Sequence, residues 1–341
     1  MKRSALFRAS GAVLLAGLLT TACGRQETAT APLSSDRPDP RPAVQEPAAP
    51  SQAELRKARA ERNRAANAVQ TSASAASQSQ SDYYAAMQRR LIAQGKLRRD
   101  RVPQDAPITA ETLTRDFMAI ALRDEYSRSG DALVSQARSA PLRRWEQPVR
   151  LQLEFGPSTQ IAERAAWRSE VAGFGNRLSS ATNHPVALTA SGGNFAVLIL
   201  SEDERRSIGP RLTELVPGIP TQDAAMLENL PPAISCTVFA YSKGSASEYA
   251  HAVAVIRSEL PPLLRTSCIH EEIAQGMGLA NDSPAARPSI FNDDEEFALL
   301  TRHDELLLQI LYDPRLRPGM SDAQAAPIVR QIASELLGEA A

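Results

Sequence analysis

The chain has 341 residues, with 38 basic and 39 acidic side chains and a formal net charge of -1. That balance excludes a surface built to coat nucleic acid, because phosphate binding draws on a net positive face. The length allows one large domain or two small ones.

Met1-Lys2-Arg3, with Arg8 close by, forms a basic start, and Gly11 to Leu19 is a short apolar run. The stretch LTTAC then ends at Cys23. This pattern predicts a secretory signal over residues 1–22. A cysteine after small residues marks a lipoprotein signal, with Cys23 acylated; an ordinary signal with a chance cysteine is the alternative. The apolar run is shorter than the roughly 20 residues a spanning helix needs, whereas two or three acyl chains anchor a protein without one. Gly24, rather than Asp, follows the cysteine and points to outer-membrane over inner-membrane sorting. The expected location is the cell envelope, lipid-anchored and facing the periplasm.

Residues 23–82 are rich in Ala, Pro, Ser, Gln and Arg. Such a segment buries too little apolar surface to offset the entropy of ordering, and it reads as a disordered tether. AELRKARAERNRAANAV within it could form a solvated helix without an apolar stripe. Residues 83–143 read as a helical extension. One amphipathic helix runs from Tyr83. A second spans Thr112 to Ser129, with Leu113, Phe117, Ile120 and Ala121 on one face.

From Arg144 the pattern changes, and residues 144–341 are expected to form the main domain. PVRLQLEF alternates as a half-buried strand. Gln160 to Ser180 is a long helix with Ile161, Ala165, Val171 and Leu178 among its apolar positions. PVALTA and FAVLIL are strands separated by the turn Ser191-Gly192-Gly193-Asn194. A polar, Pro-bearing stretch runs from Ser201 to Pro232. SCTVFAYS and AHAVAVIR are further strands. The order predicts an α/β (α+β) fold with a mixed sheet and a long backing helix. Cys236 and Cys268 are the remaining cysteines. In an exported chain they invite a disulfide, with two buried thiols as the alternative.

The segment CIHEEIAQGMGLAND, Cys268 to Asp282, carries the candidate site. Ser267 can cap a helix starting at Cys268, which places Glu271 and Glu272 near its start, where acids suit the helix dipole. Glu271 and Gln275, four apart, share a face. Gly278 can end the helix in a left-handed conformation, and Asn281 can then return toward that face.

This spacing resembles the metzincin branch of zinc peptidases, whose helix reads H-E-x-x-H-x-x-G-x-x-H. Here the frame is EEIAQGMGLAN. Glu271, Gln275 and Asn281 stand at the ligand positions, Glu272 at the general base and Gly278 at the turn. Every ligand histidine is replaced. Downstream, Ser289-Ile290-Phe291 stands at the Met-turn without its Met, and Leu311-Tyr312 closes the next helix. The resemblance spans Trp145 to Tyr312 and implies a zincin-like sheet with a degenerate active-site helix. A closer resemblance is to a family of uncharacterised proteobacterial lipoproteins, a domain of unknown function. EEIAQGMGLANDSP, PSIFNDDEEFALLTRHDELLLQILYDPRL and RPGM carry it.

Gln and Asn amides are poor zinc ligands, so no tight zinc and no other cofactor is expected. Without a metal, Glu272 has no activated water to deprotonate. Asn292 to Glu296 lacks the alternation and central Gly of a calcium loop. His303-Asp304 suggests a dyad, yet no nucleophile motif accompanies it. Cys268 beside His270, at a helix N-terminus, is a conceivable nucleophile that competes with the disulfide. The expected protein is a non-catalytic binding or scaffolding module, a pseudo-metallopeptidase with an envelope protein or peptide as ligand. The alternative is an atypical hydrolase using Glu272 as base. A redox role for the two cysteines is a third reading.

Overall fold

Phe195–Leu200 contains no polar residue, and a strand of that kind must be covered on both faces. The computed structural model describes residues 51, 53–54, 56–61, 74–129, 132–292 and 294–339. The signal over residues 1–22, Cys23 and most of the expected tether lie outside the described residues. The elements in chain order are α1 (Ala75–Ala93), α2 (Ala110–Ile120), β1 (Arg123–Ser129), β2 (Ala132–Ser139), β3 (Val149–Phe155), α3 (Ile161–Thr182), β4 (Val186–Thr189) and β5 (Phe195–Leu200). There follow α4 (Glu202–Arg205), α5 (Gly209–Leu215), α6 (Thr221–Glu228), β6 (Cys236–Ser242), β7 (Tyr249–Arg257), α7 (Pro262–Gly276), α8 (Arg302–Leu311) and α9 (Asp322–Leu337).

Five strands form one mixed sheet in the order β4-β3-β5-β7-β6. β4, β3, β5 and β7 run parallel, and β6 pairs antiparallel to β7 at the edge. Alternation divides the central strands between two cores. Phe195, Val197, Ile199, Ala252, Ala254 and Ile256 face the larger core with α3, α7 and α8. Ala196, Leu198, Leu200, Val253 and Val255 face the other side. The polar, Pro-bearing stretch after β5 covers that second face: Leu212, Val216, Ile219, Leu227 and Leu230 pack on it. Its apolar residues are too sparse to show a helical stripe in sequence, yet they suffice for short helices laid on a flat sheet.

Several expected boundaries move. The helix foreseen over Thr112–Ser129 ends at Ile120, and its last third is strand β1, paired with β2 in a separate two-stranded sheet. Thr109, not a residue inside the segment, caps α2 through a capping box with Thr112. The apolar face is as foreseen, with Leu113, Phe117, Ile120 and Ala121 all buried. α1 begins at Ala75, inside the segment foreseen as tether, and Ser77 Oγ donates to Glu259. In α3 the buried residues are Trp167, Val171, Phe174, Gly175, Leu178 and Thr182, whereas Ile161 is 72% exposed and Ala165 is exposed too. The turn after β4 does not make a hairpin. It carries the chain across β3, because β3 lies between β4 and β5. Gly193 makes that crossing possible: a Cβ there would sit 2.4 Å from Cβ of Gln152 and 2.8 Å from the Arg150 carbonyl. Among the described residues no helix is long and apolar enough to cross a membrane.

Candidate functional site

The site is built on α7. The helix starts at Pro262 with Pro261 at the N-cap, six residues before the start expected from Ser267. Proline suits the first helical position because its missing N–H would have no partner there. Pro261 supplies no capping oxygen, so the cap comes from another element. Gln88 Oε1, on α1, accepts from the backbone N–H groups of Leu263 and Leu264, each at 3.1 Å. Ser267 and Cys268 therefore lie inside the helix, both buried. Cys268 is bonded to Cys236 of β6 in a disulfide, with the Cα atoms 5.9 Å apart. Neither the N-terminal position nor the free thiol of the nucleophile reading is present.

Helical spacing then sorts the remaining side chains. Cys268, Glu271, Glu272 and Gln275 recur at three and four residues and share one face. The ligand atoms of Cys236, Glu271 and Glu272 all lie within 4.8 Å of one another. Glu272 is buried and Glu271 half-buried. His270 takes a different face. Its ring stacks on Phe174 at 4.1 Å between centroids, and Nδ1 accepts from the Leu300 N–H at 3.1 Å. Burial, reinforced by the Arg177 charge, pushes its pKa down to about 3, so the ring is neutral.

Two of the three positions at ligand spacing, Gln275 and Asn281, bond to other groups. Gln275 Nε2 donates to Asp282 Oδ1 at 3.0 Å. Asn281 Nδ2 donates to the carbonyls of Ala119 at 2.9 Å and Asp282 at 2.7 Å, and its backbone N–H donates to Ile120. Asn281 thus satisfies orphan carbonyls at the C-terminus of α2. Gly278 adopts φ +125, and a Cβ there would lie 2.5 Å from the Arg143 carbonyl. The turn is held further by Tyr312, whose hydroxyl donates to the Met277 carbonyl at 2.9 Å, and by Trp145, whose Nε1 donates to the Gly276 carbonyl at 2.8 Å.

The other candidates fall apart from α7. Ser289 Oγ donates to Asp304 Oδ1 at 2.6 Å, and Asp304 Oδ2 accepts from Thr301 and from the Ile290 N–H, so the Met-turn position is tied to the start of α8. His303 is fully buried, 3.1 Å from Asp116 and 3.7 Å from Asp304. Burial opposes its charge, but the two carboxylates outweigh burial and raise its pKa. It is a core ion pair without access to a substrate. Glu296, in the acidic run, pairs with Arg98 and Arg287, and Lys96 donates to the Asp294 carbonyl. These contacts clamp the loop to the 96–105 segment; Asp293 lies outside the described residues. Among the described residues, the group that brings Glu271 and Glu272 together with Cys236 includes neither His184 nor His251.

Beside this face runs a cleft of about 520 Å³. Val238 to Ser242 of β6 form one wall, and Gln275, Ala280 and Tyr249 contribute to the rest. Arg143 and Asp124, paired with each other, and Asp223 supply charge. Sequence reading found Gln275 but missed the other lining residues. They come from separate segments, of which the sequence marked only SCTVFAYS, as a strand.

Residues 110–331, well over half of the chain, match the family described as "Protein of unknown function (DUF2927)". No curated protein and no solved structure matches the chain.

Proposed function

The chain belongs to the DUF2927 family of proteins of unknown function, and from its cleft we propose a non-catalytic module that binds an extended peptide. The observation that carries this reading is the edge strand β6 lying along the cleft. An edge strand presents alternate N–H and C=O groups outward, which a peptide can satisfy by adding one more strand. Phe239, Tyr241 and Tyr249 offer aromatic contact, while Asp124, Arg143 and Asp223 offer charge for selecting side chains. The degenerate metzincin-like frame supports the same reading. The positions of Gln275 and Asn281 serve loop cross-linking and helix capping instead of ligation.

In the cell the module is proposed to sit in the envelope, facing the periplasm and anchored by acyl chains on Cys23. The outer membrane is preferred because Gly24 follows the cysteine. The signal over residues 1–22 and the polar, Pro-rich stretch after it support that placement. Metabolic labelling with a radiolabelled fatty acid is expected to mark the wild-type chain and not Cys23→Ala.

The binding test is selection from a random-peptide display library against the full chain. Bound peptides should protect backbone amides of β6 from hydrogen exchange. Ala280→Trp, which fills the cleft wall, should abolish binding without lowering the melting temperature by more than a degree or two. If no peptide is retained, or if retained peptides protect some other surface, the reading fails. Turnover of a bound peptide that Glu272→Gln abolishes would favour the hydrolase alternative instead.

A further inference from the structure

The geometry points to a metal site that forms when the Cys236–Cys268 bond is reduced, made of both thiolates with the Glu271 and Glu272 carboxylates and suited to zinc. Cys268, Glu271 and Glu272 stand at i, i+3 and i+4 on α7, so one helix face delivers three ligands. β6 delivers the fourth, Cys236, and the Cys236, Glu271 and Glu272 ligand atoms already lie within 4.8 Å of one another. Ligands around a tetrahedral zinc are roughly 3.3–3.8 Å apart, given bonds of about 2.0–2.3 Å. Cys268 Sγ, held on Cys236 in the oxidised chain, stands outside that group, and rotation of its side chain after reduction brings it in. This set differs from the helix positions at peptidase ligand spacing, since Gln275 and Asn281 take no part.

Two thiolates with two carboxylates carry the same formal charge as the four-cysteine set of structural zinc sites, and thiolate ligands select zinc over calcium or magnesium. Cys268 and Glu272 are buried, at 2% and 4% exposure, so water competes poorly for the ion. In the oxidised chain both sulfurs are spent on each other and neither can act as a thiolate ligand. A dithiol reductant opens the site by exchange. Its thiolate attacks one sulfur, its second thiol resolves the mixed disulfide, and it leaves as a disulfide, having given two electrons to the Cys236–Cys268 bond. The two released cysteines take up the two protons. Zinc then displaces those protons on binding, so affinity rises with pH.

The test uses the full chain, oxidised or reduced with a phosphine that is then removed without oxygen, and Zn²⁺ or Co²⁺ as probe. The reduced chain is expected to bind one equivalent of Zn²⁺, to show thiolate-to-Co²⁺ charge-transfer absorption, and to melt higher with zinc than without. The oxidised chain is expected to do none of these. Cys268→Ser keeps Cys236 with both carboxylates and should bind zinc without any reductant. Adding Glu272→Gln to it should weaken zinc roughly tenfold or more while leaving the metal-free melting curve in place. Four outcomes would overturn the site: equal zinc binding by oxidised and reduced chains, a Co²⁺ spectrum without the thiolate band, no effect of Glu272→Gln, or a reduced chain that unfolds and is not restored by zinc.

Discussion

At the residue scale, the turn after α7 shows how little room a functional frame can leave. Gly278 combines φ +125 with a carbonyl 2.5 Å from where a Cβ would stand. Gly278→Ala must therefore strain the backbone and displace the Arg143 segment, and a loss of about 2 kcal/mol or more is expected in urea unfolding. The buried His303 and the half-buried His270 respond to pH in opposite senses. His303 has a raised pKa, so its contribution is fully present below 6.5 and is lost as pH rises through the folded value. The stability difference between wild type and His303→Gln should accordingly be widest in mild acid and narrow toward alkaline pH. His270 is lowered to about 3, so its neutral stack costs nothing above 6.5 and stability falls as pH drops from 6.5 toward that value. His270→Phe is expected to flatten that part of the acid limb in thermal melts across pH.

At the scale of elements, α7 depends on a cap it does not encode. Its own N-terminus offers only prolines, and Gln88 on α1 accepts two of the orphan N–H bonds. Gln88→Ala should cost about 1 kcal/mol by denaturant titration, a typical loss for a helix cap. It should also loosen amide protection in the first turn of α7 more than elsewhere. Ser267 misled the reading because a Ser before an acidic helical run is a sound local signal, while the true cap lies 175 residues away. β6 depends on its neighbours in the same way. Its sequence reads as a strand, but its place at the sheet edge beside β7 is a matter of tertiary pairing.

At the scale of the molecule, Glu202 links three regions. Its carboxylate is buried with Arg205 and Arg257, and it also meets Arg206. Arg257 in turn donates to the carbonyls of Leu230, Pro231 and Ile234, tying the end of β7 to the approach to β6. Burial opposes the Glu202 charge, but the arginines prevail and bring its pKa down to about 2. That contribution is present above 4.5 and is lost as pH falls toward 2. Glu202→Gln leaves buried arginines without their counter-charge, and a loss of about 3–5 kcal/mol is expected at neutral pH. The cost should shrink in acid, which thermal melts at two pH values would reveal.

Local pattern sufficed for a mixed sheet, the long α3, the apolar face of α2 and the succession of β3 to β7 along the chain, because burial on one face imprints a period of two or 3.6 on the chain. It also marked Cys236 and Cys268 as a pair, since two cysteines remaining in a chain read as exported favour their union. It placed Gln275 and Asn281 at ligand spacing, because spacing along a helix and turn is a local property. Tertiary structure alone decided what those residues bond. Asn281 meets α2, Gln275 meets Asp282, and Glu271 and Glu272 gather beside Cys236. Those partners are chosen by packing between elements far apart in sequence. Neither a propensity nor a spacing records which carbonyl will be left waiting for a donor.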